Sequence, residues 1–124
     1  MNLNQVTIYS DKTIETVEFF EKLGLKRIVD SLPRYARFEC GDGGSTLSVN
    51  EFHEHTPINN IVLYFECDVD AEYERLTSLG IKFTEPPTDR SWLWREAYLL
   101  DPNGTKICLY YAGENRLDPP WRIN

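Results

Sequence analysis

Apolar and polar residues alternate near the start of the chain, with Val6 and Ile8 on one side and Gln5, Thr7 and Tyr9 on the other. That is the period of a half-buried strand. The period then lengthens: Ile14, Val17, Phe20 and Leu23 recur at helical spacing, and Asp11 or Thr13 stands where a first-turn cap belongs. Gly24 is placed to end this helix in a left-handed turn. Three short strands follow in the pattern, Lys26 to Asp30, Tyr35 to Cys40 and Ser45 to Asn50, separated by Leu32-Pro33 and Gly41-Asp42-Gly43-Gly44.

After a polar connector, Glu51 to Asn60, the same order begins again. Ile61 to Cys67 reads as a strand and Asp68 as a helix cap. Val69, Tyr73 and Leu76 form the apolar side of a helix stopped by Gly80, and Ile81 to Glu85, Trp92 to Leu100 and Thr105 to Tyr111 read as further strands. The chain therefore predicts an α+β fold, β-α-β-β-β written twice. Leu23-Gly24-Leu25-Lys26 matches Leu79-Gly80-Ile81-Lys82, and Gly44-Ser45-Thr46-Leu47-Ser48-Val49 runs parallel to Gly104-Thr105-Lys106-Ile107-Cys108-Leu109. Two matches in the same order support a duplication, with one module over about 3–51, a second over about 59–112, and a tail over 113–124, all within one domain, 1–124. One helix on four strands leaves an apolar sheet face uncovered, so two modules or two chains must combine.

Composition narrows the function. The 124 residues carry 20 Asp+Glu against 13 Lys+Arg, a net charge of −7, which weighs against a surface that tracks nucleic-acid phosphates. At 41% hydrophobic residues the chain can form a real core. Its best apolar run, Ile61 to Phe65, is too short to span a bilayer, and Met1 to Gln5 lack the pattern of a secretory signal. Cys40, Cys67 and Cys108 are odd in number and form no Cys-x-x-Cys pair, so they read as buried thiols of a cytoplasmic protein.

The sequence resembles the vicinal-oxygen-chelate superfamily of glyoxalases, bleomycin-resistance proteins, fosfomycin-resistance proteins and extradiol dioxygenases, over roughly residues 3 to 112. Val6-Thr7-Ile8 followed by Asp11, Phe19-Phe20-Glu21-Lys22-Leu23-Gly24 and Phe65-Glu66-Cys67-Asp68-Val69-Asp70 carry the resemblance. Its most specific segment is Arg95-Glu96-Ala97-Tyr98-Leu99-Leu100-Asp101-Pro102-Asn103-Gly104, a strand ending in a turn that Pro102 presets and Gly104 completes. The resemblance implies paired modules with curved mixed sheets forming a cup, completed as a homodimer.

In the family's metalloenzymes the cup holds a divalent ion on His, Gln or Glu side chains. Here those positions fall at Gln5, or Asn4 if the alignment slips by one, at Val62 or Ile61, at Ser48 and at Cys108. That set offers one neutral amide and no carboxylate or imidazole, so no metal and no cofactor is expected. His53 and His55, two apart in the connector, are the other donors that one ion could share; both read as solvated loop residues.

Recognition without a metal rests on shape, aromatic faces and oriented polar groups. Trp92, Trp94, Glu96 and Tyr98 share one face by the period of two; Gln5, Thr7, Tyr9, Ser48, Asn50, Tyr64, Cys108 and Tyr110 occupy the faces that carry the cavity in the family. The stretch Trp94 to Pro102 is most similar to bleomycin-resistance proteins, which implies a metal-independent small-molecule-binding protein serving sequestration or resistance, with a flat cationic ligand as one match to aromatic walls and surplus acid. The alternatives are a metal-dependent lyase, isomerase or dioxygenase using Gln5 with His53 or His55, and a non-catalytic interaction domain whose cup is filled. Glu96 is the best-placed acid–base group but has no evident partner, so no catalytic residue is assigned. Arg37, opposite Phe38 on its strand, could grip a carboxylate or form a surface salt bridge. In the tail, Trp121 and Ile123 are expected to dock on the body or a partner subunit, closing one entrance of the cup.

Overall fold

The computed structural model describes residues 1–102 and 104–124; Asn103, in the turn singled out above, lies outside the described residues. The elements run β1 (Asn2–Ser10), α1 (Thr13–Lys22), β2 (Lys26–Ser31), β3 (Tyr35–Cys40), β4 (Ser45–Glu51), β5 (Ile61–Glu66), α2 (Val69–Ser78), β6 (Glu85–Asp89), β7 (Arg95–Leu100) and β8 (Lys106–Tyr111). The strand-helix-strand-strand-strand order thus occurs twice, as the pattern predicts. Eight strands form one mixed sheet in the order β2-β3-β4-β1-β5-β8-β7-β6. β1 pairs parallel with β4 and β5 with β8, while β1 and β5 meet antiparallel in the middle. Among the described residues no helix is long and apolar enough to cross a membrane.

Alternation along the strands assigns the two faces of the sheet. Ala36, Phe38 and Val49 are fully buried with Val17 of α1, and Ile8 and Phe20 pack against them. Tyr35, Arg37 and Asn50, the intervening residues, face the other way and line a cavity. Burying Val17 and Phe20 is what seats α1. Ile14 and Leu23, which share their period, remain 52% and 63% exposed because the sheet meets only one narrow side of the helix.

Local chemistry departs from expectation in three places. Asp68 does cap α2, accepting from the Ala71 amide at 3.2 Å, but no side chain caps α1. Thr13, the residue expected there, donates its hydroxyl to the Pro33 carbonyl instead (2.8 Å). The strand expected over Ile81 to Glu85 begins only at Glu85, since Phe83 turns onto Tyr73 of α2, ring centroids 4.7 Å apart. β6 then runs through Pro86 and Pro87, tolerated because this outer strand has a neighbour on one side only. Finally, β7 begins at Arg95 and not at Trp92. Leu93 takes φ +69° inside a tight loop closed by Arg90 N–H to Trp94 O (2.8 Å), which removes Trp92 from the strand's alternation.

The tail packs against the body of its own chain. Ile28 is bulged out of the β2–β3 register, and its carbonyl accepts from the Ile123 amide at 2.8 Å. Arg122 pairs with Glu39 at 3.2 Å. Arg116 is buried and donates to the carbonyls of Gly44 (2.6 Å) and Asn4 (3.4 Å) and to Thr46 Oγ1 (3.3 Å).

Candidate functional site

A cavity of about 380 Å³ opens on the sheet face away from α1, within the size range of small-molecule sites. Six of the twelve residues singled out in the sequence line it: Thr7 from β1, Asn50 from β4, Tyr64 from β5, Glu96 from β7, and Trp92 and Trp94 from the loop before it. Gln5, Ser48, Tyr98, Cys108 and Tyr110 sit beneath that lining, all buried. Tyr9 is half-buried against the aromatic cluster, its ring edge-on to His53 at 5.5 Å. The structure adds Val29, Ser31, Arg34, Tyr35 and Ser91, and it brings into the lining Arg37 and Trp121, which the sequence offers as a polar anchor and as a docking residue of the tail. Tyr35 shares the alternation of Arg37 and could have been read from it. Trp121 arrives from the tail, where no period points to it.

Two polar networks tie the residues of this face together. In the first, Gln5 Nε2 donates to Ser48 Oγ (3.0 Å), Thr7 Oγ1 (3.1 Å) and the Val6 carbonyl (3.2 Å), while its Oε1 accepts from Thr46 Oγ1. Ser48 Oγ meets the Tyr35 hydroxyl at 2.6 Å, and that hydroxyl accepts from Arg37 Nε at 2.9 Å. Both ends of the Gln5 amide are therefore engaged within the protein.

The second network surrounds Glu96, which is 1% exposed. Its carboxylate accepts from the Tyr98 hydroxyl (2.6 Å) and from Trp92 Nε1 (2.9 Å), and Arg90 Nε stands 3.3 Å away. The Trp92 bond shows how a residue outside the strand still reaches the site. Burial pushes the Glu96 carboxyl above its usual range, against the opposing pull of Tyr98, Trp92 and Arg90. Burial likewise raises the Tyr64 and Tyr98 hydroxyls and the Cys108 thiol well above their ordinary values.

The native state thus holds the Glu96 proton more tightly than the unfolded chain does. Stability should fall as pH rises from about 4.3, the unfolded value, through the raised folded value. Glu96→Gln keeps an oxygen for Trp92 and Tyr98 to donate to and should flatten that part of the curve. Urea unfolding between about pH 4 and pH 8 reads it; an unchanged slope in the variant would contradict the assignment.

Arg37 is 3% exposed, stacks over Trp94 with its guanidinium 4.8 Å from the ring centroid, and donates to the carbonyls of Arg116 (3.0 Å) and Asn115 (3.4 Å). It is no surface salt bridge: no carboxylate among the described residues lies within ion-pairing reach of it. Trp94 itself is buried against Tyr110 and Tyr64, centroids 4.8 and 5.8 Å away. His53 and His55 are both exposed; His53 Nδ1 accepts from the His55 amide at 3.0 Å. Among the described residues no three His, Cys, Asp or Glu side chains gather in an arrangement that could hold an ion.

Residues 2–109 match the model of the Glyoxalase/Bleomycin resistance protein/Dioxygenase superfamily. Solved structures with the same fold include methylmalonyl-CoA epimerase from Mycobacterium tuberculosis, with a TM-score of 0.72 at 16% identity, covering 89% of this chain and 87% of that one. A NAD-dependent benzaldehyde dehydrogenase from Legionella pneumophila gives 0.69 at 20% identity over 88% and 98%. A glyoxalase/bleomycin resistance protein/dioxygenase superfamily member from Vibrio splendidus 12B01 gives 0.66 at 13% identity over 86% and 95%. A comparison with curated proteins finds no match. At these identities the structural likenesses speak for the fold alone.

Proposed function

Since the chain belongs to the glyoxalase/bleomycin resistance protein/dioxygenase superfamily, we propose that it is a metal-independent small-molecule-binding protein. Its two modules form a cup whose ligand sits in the cavity beside Trp94, and it works as a cytoplasmic homodimer in sequestration or resistance. The observation that carries this reading is the state of the residues at the superfamily's metal positions. Gln5 has both ends of its amide in hydrogen bonds to Thr46, Ser48, Thr7 and Val6. Val62 has no lone pair to donate. Cys108 is fully buried, and burial together with the nearby Glu96 pushes its thiol well above the ordinary range. A divalent ion needs several convergent, deprotonated or lone-pair donors, and this set does not fit one.

Elemental analysis of untagged protein, together with melting curves in EDTA and in added Zn²⁺, Ni²⁺, Mn²⁺ or Fe²⁺, tests the reading. The expected result is far less than one ion per chain, and melting temperatures that EDTA and the metals leave within about 1 °C. A bound ion at about one per chain, whose removal by EDTA lowers the melting temperature, would defeat it.

A further inference from the structure

The charges around the cavity are not balanced in the way the chain's composition suggests. The chain carries seven more acidic than basic residues. Five of its eight arginines, Arg27, Arg75, Arg90, Arg95 and Arg122, stand in ion pairs with carboxylates. Among the described residues the other three do not: Arg34, Arg37 and Arg116. Two of these, Arg34 and Arg37, stand in the wall of the cavity. The third lies directly behind that wall, its carbonyl accepting from Arg37 Nη1 at 3.0 Å.

Glu96, the one carboxylate that the described residues bring to the lining, is already answered by the Arg90 guanidinium, the Trp92 indole and the Tyr98 hydroxyl. Among the described residues Arg37 is held by neutral groups only: a tyrosine hydroxyl, two peptide carbonyls and the face of an indole. Its Nη2 makes no hydrogen bond to a described residue. A buried guanidinium without a counter-ion is costly, and the cost is recovered when an anion arrives in matching geometry. The uncompensated charge facing the cavity is therefore positive, the reverse of what the acidic composition suggested for the ligand.

We propose that the cavity selects a flat organic carboxylate, its carboxylate group on Arg37 with Arg34 at the mouth and its planar body against the exposed indoles of Trp92 and Trp121 in the lining. With Nε and Nη1 already engaged, Nη2 is the free edge of the guanidinium, and it offers one carboxylate oxygen a charge-assisted bond in the plane that stacks on Trp94. The aromatic walls set the second requirement, a π-face or a similarly flat apolar body. This proposal rests on the reading of the cavity as a binding site, and the test separates the two.

Binding of 2-naphthoate, neutral 2-naphthamide and cationic 2-naphthylmethylammonium, followed by tryptophan fluorescence and calorimetry, compares three charges on one ring. Naphthoate is expected to bind at least about tenfold more tightly than the amide, and the ammonium more weakly still. Arg37→Gln should lower naphthoate affinity by about tenfold or more and leave the amide's affinity within about twofold. Arg34 is exposed, so Arg34→Gln leaves the fold intact. It should cost naphthoate a smaller factor, about threefold at low salt, and keeps the proposal testable should Arg37→Gln fail to fold. Equal affinity for all three probes, or tightest binding of the ammonium, overturns the carboxylate assignment while leaving the cavity a binding site. Failure of every probe to bind at millimolar concentration overturns both.

Discussion

Trp94→Ala is expected to lower the free energy of unfolding by about 3–5 kcal/mol, the range for removing a large buried aromatic side chain. Trp94 is 3% exposed and ties several elements together. Its ring packs on Tyr110 of β8 and Tyr64 of β5, carries the Arg37 guanidinium of β3 on its face, and donates Nε1–H to the Asn115 carbonyl at 3.2 Å. Alanine would leave a cavity bordered by a buried charge, which adds to the loss of apolar contact. At roughly 3–5 °C per kcal/mol for a chain of this size, the melting temperature should fall by about 10–20 °C. Trp94→Phe keeps a ring but loses the indole donor, and should cost about 1–2 kcal/mol. Urea and thermal unfolding followed by circular dichroism measure both. A Trp94→Ala protein within about 1 kcal/mol of the parent would show that the wall is not held together there.

Deleting residues 116–124 should be of comparable effect, about 3 kcal/mol or more. The deletion removes the buried Arg116 with its bonds to Gly44, Thr46 and Asn4, the Arg122–Glu39 pair and the Ile123–Ile28 bond. It also takes away the Arg116 carbonyl that accepts from Arg37, and Trp121 from the cavity lining. The contributions are unequal. Arg122 and Glu39 are each part-exposed, so Arg122→Ala alone should cost less than about 1 kcal/mol. Most of the loss belongs to Arg116, whose peptide-carbonyl partners would be left to find water or remain unpaired. Calorimetry on the truncated chain reads the sum. A melting temperature within about 2 °C of the full chain would mean that the tail rests on the body without supporting it.

What the sequence made legible follows the physics of one-sided burial. Where an element buries one face, its period is forced, and β1, β3, β4, β5 and both helices appear where the pattern puts them. Where a tertiary contact competes, the pattern misleads. Phe83 continues a plausible strand in sequence but is drawn onto Tyr73. Trp92 shares the parity of Glu96 but is carried off by the turn at Leu93, and reaches the same carboxylate from outside the strand. Parity also cannot tell which residues of an inward face touch the cavity and which lie beneath it. Asn50 lines it while Ser48, two residues earlier on β4, sits under Tyr35. That distinction depends on the volumes of neighbours brought in from other strands. For Arg37 alternation gives the face and leaves two readings, a gripped carboxylate or a surface salt bridge; only the assembled structure reveals that no carboxylate among the described residues meets it.

The sheet ends in two strands that each have one free side, β2 and β6, and such margins are templates on which another chain can add itself and start aggregation. Pro86 and Pro87 blunt β6 from within, since neither offers an N–H to an incoming strand. β2 has no proline and borrows its protection from the last residues of the chain, where Ile123 occupies the carbonyl of the bulged Ile28. Colloidal stability at one margin is thus written into the strand, and at the other depends on the segment around Ile123 staying seated, so loss of that segment would favour clumping at the β2 side first.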